Sequence, residues 1–337
     1  MDLDKYDLSK PAIKVFKNGE KRGMHTVDSR FRHFSDECEF LHSNHPKTTF
    51  DKDSKGFAKH LGQLKLFLTN LQFITKYWDI VQHPDPILLY IGAAPCSWGL
   101  LFMKYFPEFE LHLYDPDKFA PKLLKKSKEG GKLFIYNQLF AENDVKKWES
   151  MERNIFLVSD IRLRNYNKLG ENAQKDVHDC MMMQEDWVTR INPLYAQLKF
   201  KLPYEGFNCD NYVYLDGKIY FQAWVGPLSS EARLVSSRPH TKTSYVCKEY
   251  EEMMFNHNIT TRKSGNYFRN VLNDSPSFYR LLPKIGLNNE WDSTLTVKII
   301  KEYLEKTLPT DEQKVTEQMV YDFFAIVSEQ LVQLKSL

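Results

Sequence analysis

Apolar positions divide this chain into stretches of different period. Residues 1 to about 56 show no repeat; "KNGEKRG" and "HSNHPKTTFDKDSKG" read as loops, so a polar N-terminal extension is expected there. From His60 onward the apolar residues recur at helical spacing: Leu61, Leu64, Leu66 to Leu68, Leu71, Phe73, Ile74 and Trp78 predict a helix with one buried face. Four short β-rich runs follow, "ILLYIG", "FELHLYD", "KLFIYN" and "NIFLVSD", separated by segments long enough for helices. Parallel neighbours need such crossovers, so the alternation predicts an α/β fold built on a parallel sheet.

Further along, "NAQKDVHDCMMMQEDWVTRI" has helical composition, with Met181 to Met183 as core filler, and it leads into "QLKFKLPY", a fifth strand. "NYVYLDGKIYFQAW" reads as a hairpin around Asp216 and Gly217, because a D-G pair suits the positive φ of a type I′ turn. Near the C-terminus Thr310 and Gln313 can form a capping box, and Val315, Met319, Phe323, Val327 and Leu331 share one helix face. The expected division is residues 1–56 as extension, 57–275 as the α/β domain, and 276–337 as a helical extension packed on it.

Composition acts mainly by exclusion. The chain has 337 residues, 42% of them apolar, enough to bury a full core. Its 46 Lys plus Arg nearly cancel 44 Asp plus Glu, so any basic surface must be local. The five cysteines are odd in number, scattered and never in C-x-x-C, which argues against a disulfide framework or thiolate zinc and for a reducing, cytosolic setting. There is no H-E-x-x-H, and no apolar run reaches the ~18 to 20 residues of a membrane span, so neither metal nor membrane is expected. "MDLDKYDLSK" lacks the apolar stretch of a secretory signal.

Chemistry concentrates after the first strand. "YIGAAPCSWG" is a strand, a turn of small residues and a helix start, which places a ligand at the carboxyl edge of a parallel sheet. It matches neither G-x-G-x-x-G, whose glycines let backbone approach a pyrophosphate, nor a P-loop. Gly92, Ala93 and Ala94 leave room for a less anionic ligand. Asp115, ending the next strand, is placed to accept hydrogen bonds from both hydroxyls of a ribose. The pair fits S-adenosyl-L-methionine better than NAD or ATP. Four more polar residues stand out: Lys65 within an apolar helix, Asp160 at a strand end, Lys199 in the fifth strand, and Glu231 in "LSSEARL". Each alone is compatible with a solvated charge, but two of them lie at carboxyl ends of sheet elements, where α/β active sites collect.

"GQLK", "YIGAAP", "SDIR", the "LK" of "NPLYAQLKFKLPY", and "SEARL" occur in the order and approximate spacing of the poxvirus cap-specific mRNA (nucleoside-2′-O-)-methyltransferases. Over roughly residues 57 to 255 the chain resembles that family, whose polypeptide is also the small, processivity subunit of the poly(A) polymerase. The resemblance implies a Rossmann-like S-adenosylmethionine-dependent methyltransferase fold with N- and C-terminal extensions. The implied activity is methyl transfer from S-adenosyl-L-methionine to the 2′-OH of the first transcribed nucleotide of capped mRNA. The implied partners are that RNA and the poly(A) polymerase catalytic subunit, in the host cytoplasm of a large DNA virus, with packaging in the virion left open.

Residue by residue, the resemblance implies a catalytic tetrad of Lys65, Asp160, Lys199 and Glu231. Burial beside a cation would depress the pKa of Lys199 and make it the base, with Lys65 as that cation and the two carboxylates as orienting groups. Around the cofactor the family positions fall on Gln63, Tyr90, Gly92, Asp115 and Asp160, with Phe140 flanking the adenine. Cys96 stands where the family has glycine and Asp117 where it has arginine. For the cap, Tyr204 takes a stacking position and Glu251 an edge-binding one, with Glu205, Ser229 and Ser230 in the same groove. Leu228 replaces the second stacking tyrosine. Arg162, Lys201, Pro203 and Arg233 complete the expected RNA contacts; Arg162, Arg164 and Lys168 with Tyr166 in "IRLRNYNK" form a basic loop suited to a single strand. Two rival functions stay open: a cap-independent RNA 2′-O-methyltransferase, and an RNA-binding processivity subunit with little or no catalysis.

Overall fold

Ile87–Ile91 (β1) is buried at every position, as expected of a central parallel strand covered on both faces. The computed structural model describes residues 62–162, 171–203, 211–225, 229–259, 262, 291–308 and 314–332. Glu110–Tyr114 (β2), Leu133–Tyr136 (β3), Ile155–Ser159 (β4) and Tyr195–Phe200 (β5) run parallel with β1 in the order β3-β2-β1-β4-β5. Gly99–Tyr105 (α2), Pro121–Lys128 (α3), Glu142–Glu149 (α4) and Glu171–Ile191 (α5) form the crossovers. Strand order reverses between β1 and β4, which opens a crevice above their carboxyl ends.

The D-G dipeptide does not make the expected hairpin. Tyr212–Leu215 (β6) pairs with Lys242–Tyr245 (β9) in a separate two-stranded sheet, whereas Lys218–Tyr220 (β7) pairs with Ala232–Ser237 (β8). β8 in turn lies antiparallel to β5 and completes a seven-stranded main sheet. Gly217 is needed for a different reason: a Cβ there would meet the Val235 carbonyl oxygen at 2.4 Å, so only glycine lets the chain cross so close to β8. Long-range pairing overrides the local turn preference.

Gly62–Tyr77 (α1) buries a continuous run from Leu66 to Thr75 against the sheet and the C-terminal helices. Trp291–Thr307 (α7) and Glu317–Val332 (α8) both pack on α1; Cys247–Ile259 (α6) precedes them. The Lys306 ammonium caps α1 by donating to the carbonyls of Thr75 and Trp78, and Tyr303 Oη donates to the Tyr105 carbonyl at 3.0 Å. Phe323, Val327 and Leu331 are buried, with the Phe323 ring 4.5 Å from that of Tyr105, so this apolar stripe faces its own core. Of the methionine run, Met181 is core whereas Met183 is exposed. The N-terminal extension, the capping pair Thr310 and Gln313, and the boundary near residue 275 lie outside the described residues.

Candidate active site

β1 ends in a turn whose backbone requires glycine. Gly92 has φ +81°, and a Cβ on it would lie 2.9 Å from the carbonyl carbon and oxygen of Asp160, where the ends of β1 and β4 touch. The N–H groups of Gly92 and Ala93 both donate to the Tyr114 carbonyl, at 2.9 and 3.1 Å, tying the turn to the end of β2. Asp115 follows at once: its Oδ2 accepts from Ala94 N at 3.0 Å and its Oδ1 from Asp117 N at 2.8 Å. Asn137 bridges the carbonyls of Asp115 and Asp117. The carboxylate is thereby oriented, with a lone pair left on each oxygen. The Asp117 side chain is exposed.

Gln63, on the first turn of α1, accepts from Ser97 N at 2.8 Å. Cys96 adopts φ +52°, a conformation that favours glycine, and its fully buried thiol has its pKa pushed up by burial. Tyr90 is a core residue, with its ring 5.2 Å from that of Trp98. Phe140 packs edge-to-face on Tyr114 and Trp187, at 4.9 and 5.2 Å between centroids.

Lys65, Asp160, Lys199 and Glu231 meet on one side of this turn. Lys199 Nζ lies 2.8 Å from Asp160 Oδ1 and 3.5 Å from Glu231 Oε2, and Lys65 Nζ lies 3.3 Å from Glu231 Oε1. Two arginines complete the network. Arg233 Nη2 sits 2.8 Å from Asp160 Oδ1 and 3.2 Å from Glu231 Oε1, and Arg162 Nη2 sits 2.5 Å from Glu231 Oε2. Four cations thus share two carboxylates.

Sheet geometry explains the convergence. β4 and β5 stop pairing at Ser159 and Leu198, so the strands diverge just where Asp160 and Lys199 follow. The Lys199 peptide left unpaired on that side is held by Gln184 of α5, which accepts from its N–H at 3.2 Å and donates to its carbonyl at 3.0 Å. On the other side Lys199 is in register with Arg233 of β8.

Burial lowers the pKa of Lys199 and outweighs the attraction of Asp160 and Glu231, and Arg162 and Arg233 add to the lowering. Arg162 and Arg233 are the cations that act most on Lys199, and Lys65 pairs with the other oxygen of Glu231. Burial raises the pKa of Asp160, but Lys199, Arg233 and Lys65 overcome it and hold the group at about 2. Glu231 is held well below its ordinary value by Lys199, Lys65, Arg233 and Arg162 against the same burial.

The expected placement of Arg233 on a basic RNA-facing connection is corrected: its side chain is 2% exposed and belongs to the buried network. Arg162 keeps 27% side-chain exposure and stands at the rim. Lys201 and Pro203 are buried. Ser229 Oγ accepts from Glu231 N at 3.2 Å, its carbonyl accepts from Asn258 of α6, and the Ser230 carbonyl accepts from Tyr250 Oη. Glu251 is half-buried on the same helix. Tyr204, Glu205, Arg164, Tyr166, Lys168 and Leu228 lie outside the described residues. Among the described residues no group of three His, Cys, Asp or Glu is placed to hold a metal, and no helix is long and apolar enough to cross a membrane.

A parallel 3-2-1-4-5 sheet extended by antiparallel strands, with a glycine turn after β1 and an acid after β2 at its carboxyl edge, defines a Rossmann-like methyltransferase fold. The family described as "Poly A polymerase regulatory subunit" matches residues 35–308, and the chain belongs to that family. A cap-specific mRNA (nucleoside-2′-O-)-methyltransferase of fowlpox virus (strain NVSL) is 28% identical over 219 residues, covering 60% of this chain and 68% of the relative. A crystal structure of a point mutant of MtNAS superposes with a TM-score of 0.27 at 7% identity, over 54% of this chain and 60% of that one, too distant to bear on the fold.

Proposed function

We propose that the chain transfers a methyl group from S-adenosyl-L-methionine to the ribose 2′-OH of the first transcribed nucleotide of capped mRNA, in the cytoplasm, and also serves a poly(A) polymerase as its regulatory subunit. The observation that carries the catalytic part is the buried network in which Lys199 is flanked by two carboxylates and two arginines beside the glycine turn. A 2′-OH is a poor nucleophile, so the site must align it and take its proton. Lys199, whose ammonium form is disfavoured by burial and by its arginine neighbours, accepts that proton on Nζ as the neutral amine. Asp160 and Glu231 aim the lysine and stabilise the ammonium that results, and Arg233 fixes both carboxylates.

The residues present fit the cofactor. Asp115 keeps acceptor capacity for two ribose hydroxyls, Gln63 retains its amide N–H groups, and Phe140 offers an apolar face for the adenine. Bound there, the cofactor supplies a methyl group on a positively charged sulfur, which Asp160 complements. Tyr90, Gly92 and Cys96 shape the floor of that pocket, with Asp117 at its rim. Ser229, Ser230 and Glu251, with Tyr204 and Glu205, take the cap. Arg162, at the rim, meets the strand that enters, whereas Lys201 and Pro203, expected as RNA contacts, are buried and support that wall from behind.

The test uses three short RNAs of one sequence, carrying a 7-methylguanosine cap, an unmethylated cap or a 5′-triphosphate, with label supplied as tritiated cofactor. Label confined to the first nucleotide of the methylated-cap RNA supports the reading. Equal labelling of all three would make the enzyme cap-independent. No label, together with stimulation of a separately supplied poly(A) polymerase, would leave the regulatory subunit alone.

A further inference from the structure

Charge is unevenly spread along the surface. Residues 118–132 hold six lysines against one glutamate, a net of +5 in a chain whose total is +2, so all other residues together carry −3. The six are Lys118, Lys122, Lys125, Lys126, Lys128 and Lys132, and every one is exposed. Lys126 pairs with Glu129 at 3.0 Å, and Lys132 donates to the carbonyls of Pro107 and Glu108. The other four make no ion pair among the described residues.

Helix electrostatics account for only part of this. Lys125, Lys126 and Lys128 occupy the last turn of α3, where the helix dipole favours cations. Lys118 and Lys122 sit before and at its first turn, where the dipole disfavours them, and no acid lies in that turn. Lys122 also faces Lys125 and Lys126 at spacings of three and four, where like charges repel. The N-terminal half of the stripe therefore works against the helix that carries it, as expected of a surface whose counter-charge comes from outside.

Its location says which counter-charge. Ala120 N donates to the Pro95 carbonyl at 2.9 Å, joining the head of α3 to the turn that follows β1, and Leu123 packs on the start of α2 at Gly99. From there the stripe runs about 12 Å down the helix to the Gly130–Gly131 turn beside β3, the outer strand of the sheet. We propose that α3 and its flanks form a sequence-independent track for the phosphates of single-stranded RNA, carrying the body of the strand away from the reacting nucleotide. Only the direction of the strand rests on the methyl-transfer reading; the binding itself does not.

The test replaces Lys122, Lys125 and Lys128 together (Lys122→Gln, Lys125→Gln, Lys128→Gln) in the full chain, with the three Lys→Arg changes as a charge-retaining control. Fluorescence anisotropy over a salt series measures binding of an RNA of about 25 nucleotides, and tritium transfer is followed on a capped RNA of about four nucleotides. With each single-strand phosphate contact adding about 0.7 to the slope of log affinity against log salt, the triple Gln variant should lose about 2 from that slope and at least tenfold in affinity for the long RNA. The arginine control should keep both, and transfer to the short RNA should be unchanged. An unaltered slope and affinity in the Gln variant would overturn the proposal. Unaltered RNA binding with weakened association to a polymerase subunit would overturn it too and assign the stripe to an acidic protein. If wild type fails to methylate the short RNA while the variant still loses long-RNA affinity, the track stands and the methyl-transfer reading fails.

Discussion

Replacing Arg233 with methionine keeps most of a buried side chain's volume and deletes one charge from the network. Arg233 Nη2 and Lys199 Nζ each lie 2.8 Å from the same oxygen, Asp160 Oδ1, so the two cationic nitrogens are within about 6 Å of each other. At an effective dielectric of about 20, a unit charge at that separation disfavours the Lys199 ammonium by about 3 kcal/mol. Rearrangement offsets part of this, and the Lys199 pKa is expected to rise on removing the arginine. If the neutral amine is the base, as proposed, the acid limb of kcat/KM against pH should move upward. At pH 7 the rate should fall about ten- to a hundredfold and be largely recovered at high pH. Urea unfolding should show a loss of about 3 to 5 kcal/mol, because Asp160 and Glu231 each lose a buried partner. Arg233→Lys, which keeps the charge, should leave the acid limb closer to wild type. A purely structural role would lower the rate equally at every pH, so an unmoved acid limb would refute the electrostatic argument.

Lys199→Ala should abolish transfer while leaving cofactor affinity by calorimetry nearly unchanged, because the lysine pairs with Asp160 and Glu231 and not with Asp115, the acid proposed to hold the ribose. Asp115→Ala should weaken cofactor binding about ten- to a hundredfold, through lost charged hydrogen bonds of about 1.5 to 3 kcal/mol, with kcat at saturation much less affected. Asp160 titrates at about 2 when folded against 3.8 in its ordinary state, so between those values the unfolded chain binds more protons and stability rises with pH. Its contribution, about 2 kcal/mol, is complete above that window and lost as pH falls through it; acid unfolding of Asp160→Asn should lack this component. Gly217→Ala should cost about 2 kcal/mol or more in thermal unfolding, since the new methyl meets the Val235 carbonyl oxygen at 2.4 Å.

The parallel strands were legible because each apolar run had strand length and each gap had helix length, and β1 to β5 fall where those runs lie. The hairpin at Asp216 was misread because D-G reports only a local preference, and the pairing of β6 with β9 and β7 with β8 is decided by segments more than ten residues away. The tetrad came from short sequence blocks whose meaning lay in a resemblance; strand ends alone marked Asp160 but could not pair it with Lys199. Arg233 was assigned to the RNA surface instead of the buried network because its partners are set by the β5–β8 register, which places it opposite Lys199, and no local pattern encodes that register. The conformation of Cys96 was legible only through the resemblance, in which a glycine holds that position; the cysteine itself does not announce a turn at φ +52°.

The measurement that bears most directly on the central claim is single-turnover transfer of tritium from labelled S-adenosyl-L-methionine to a short 7-methylguanosine-capped RNA, comparing wild type with Lys199→Ala and mapping the label by nuclease digestion. Wild type should place the label on the 2′-oxygen of the first nucleotide and the variant should place none. Equal labelling by the two proteins, or label on a base, would contradict it.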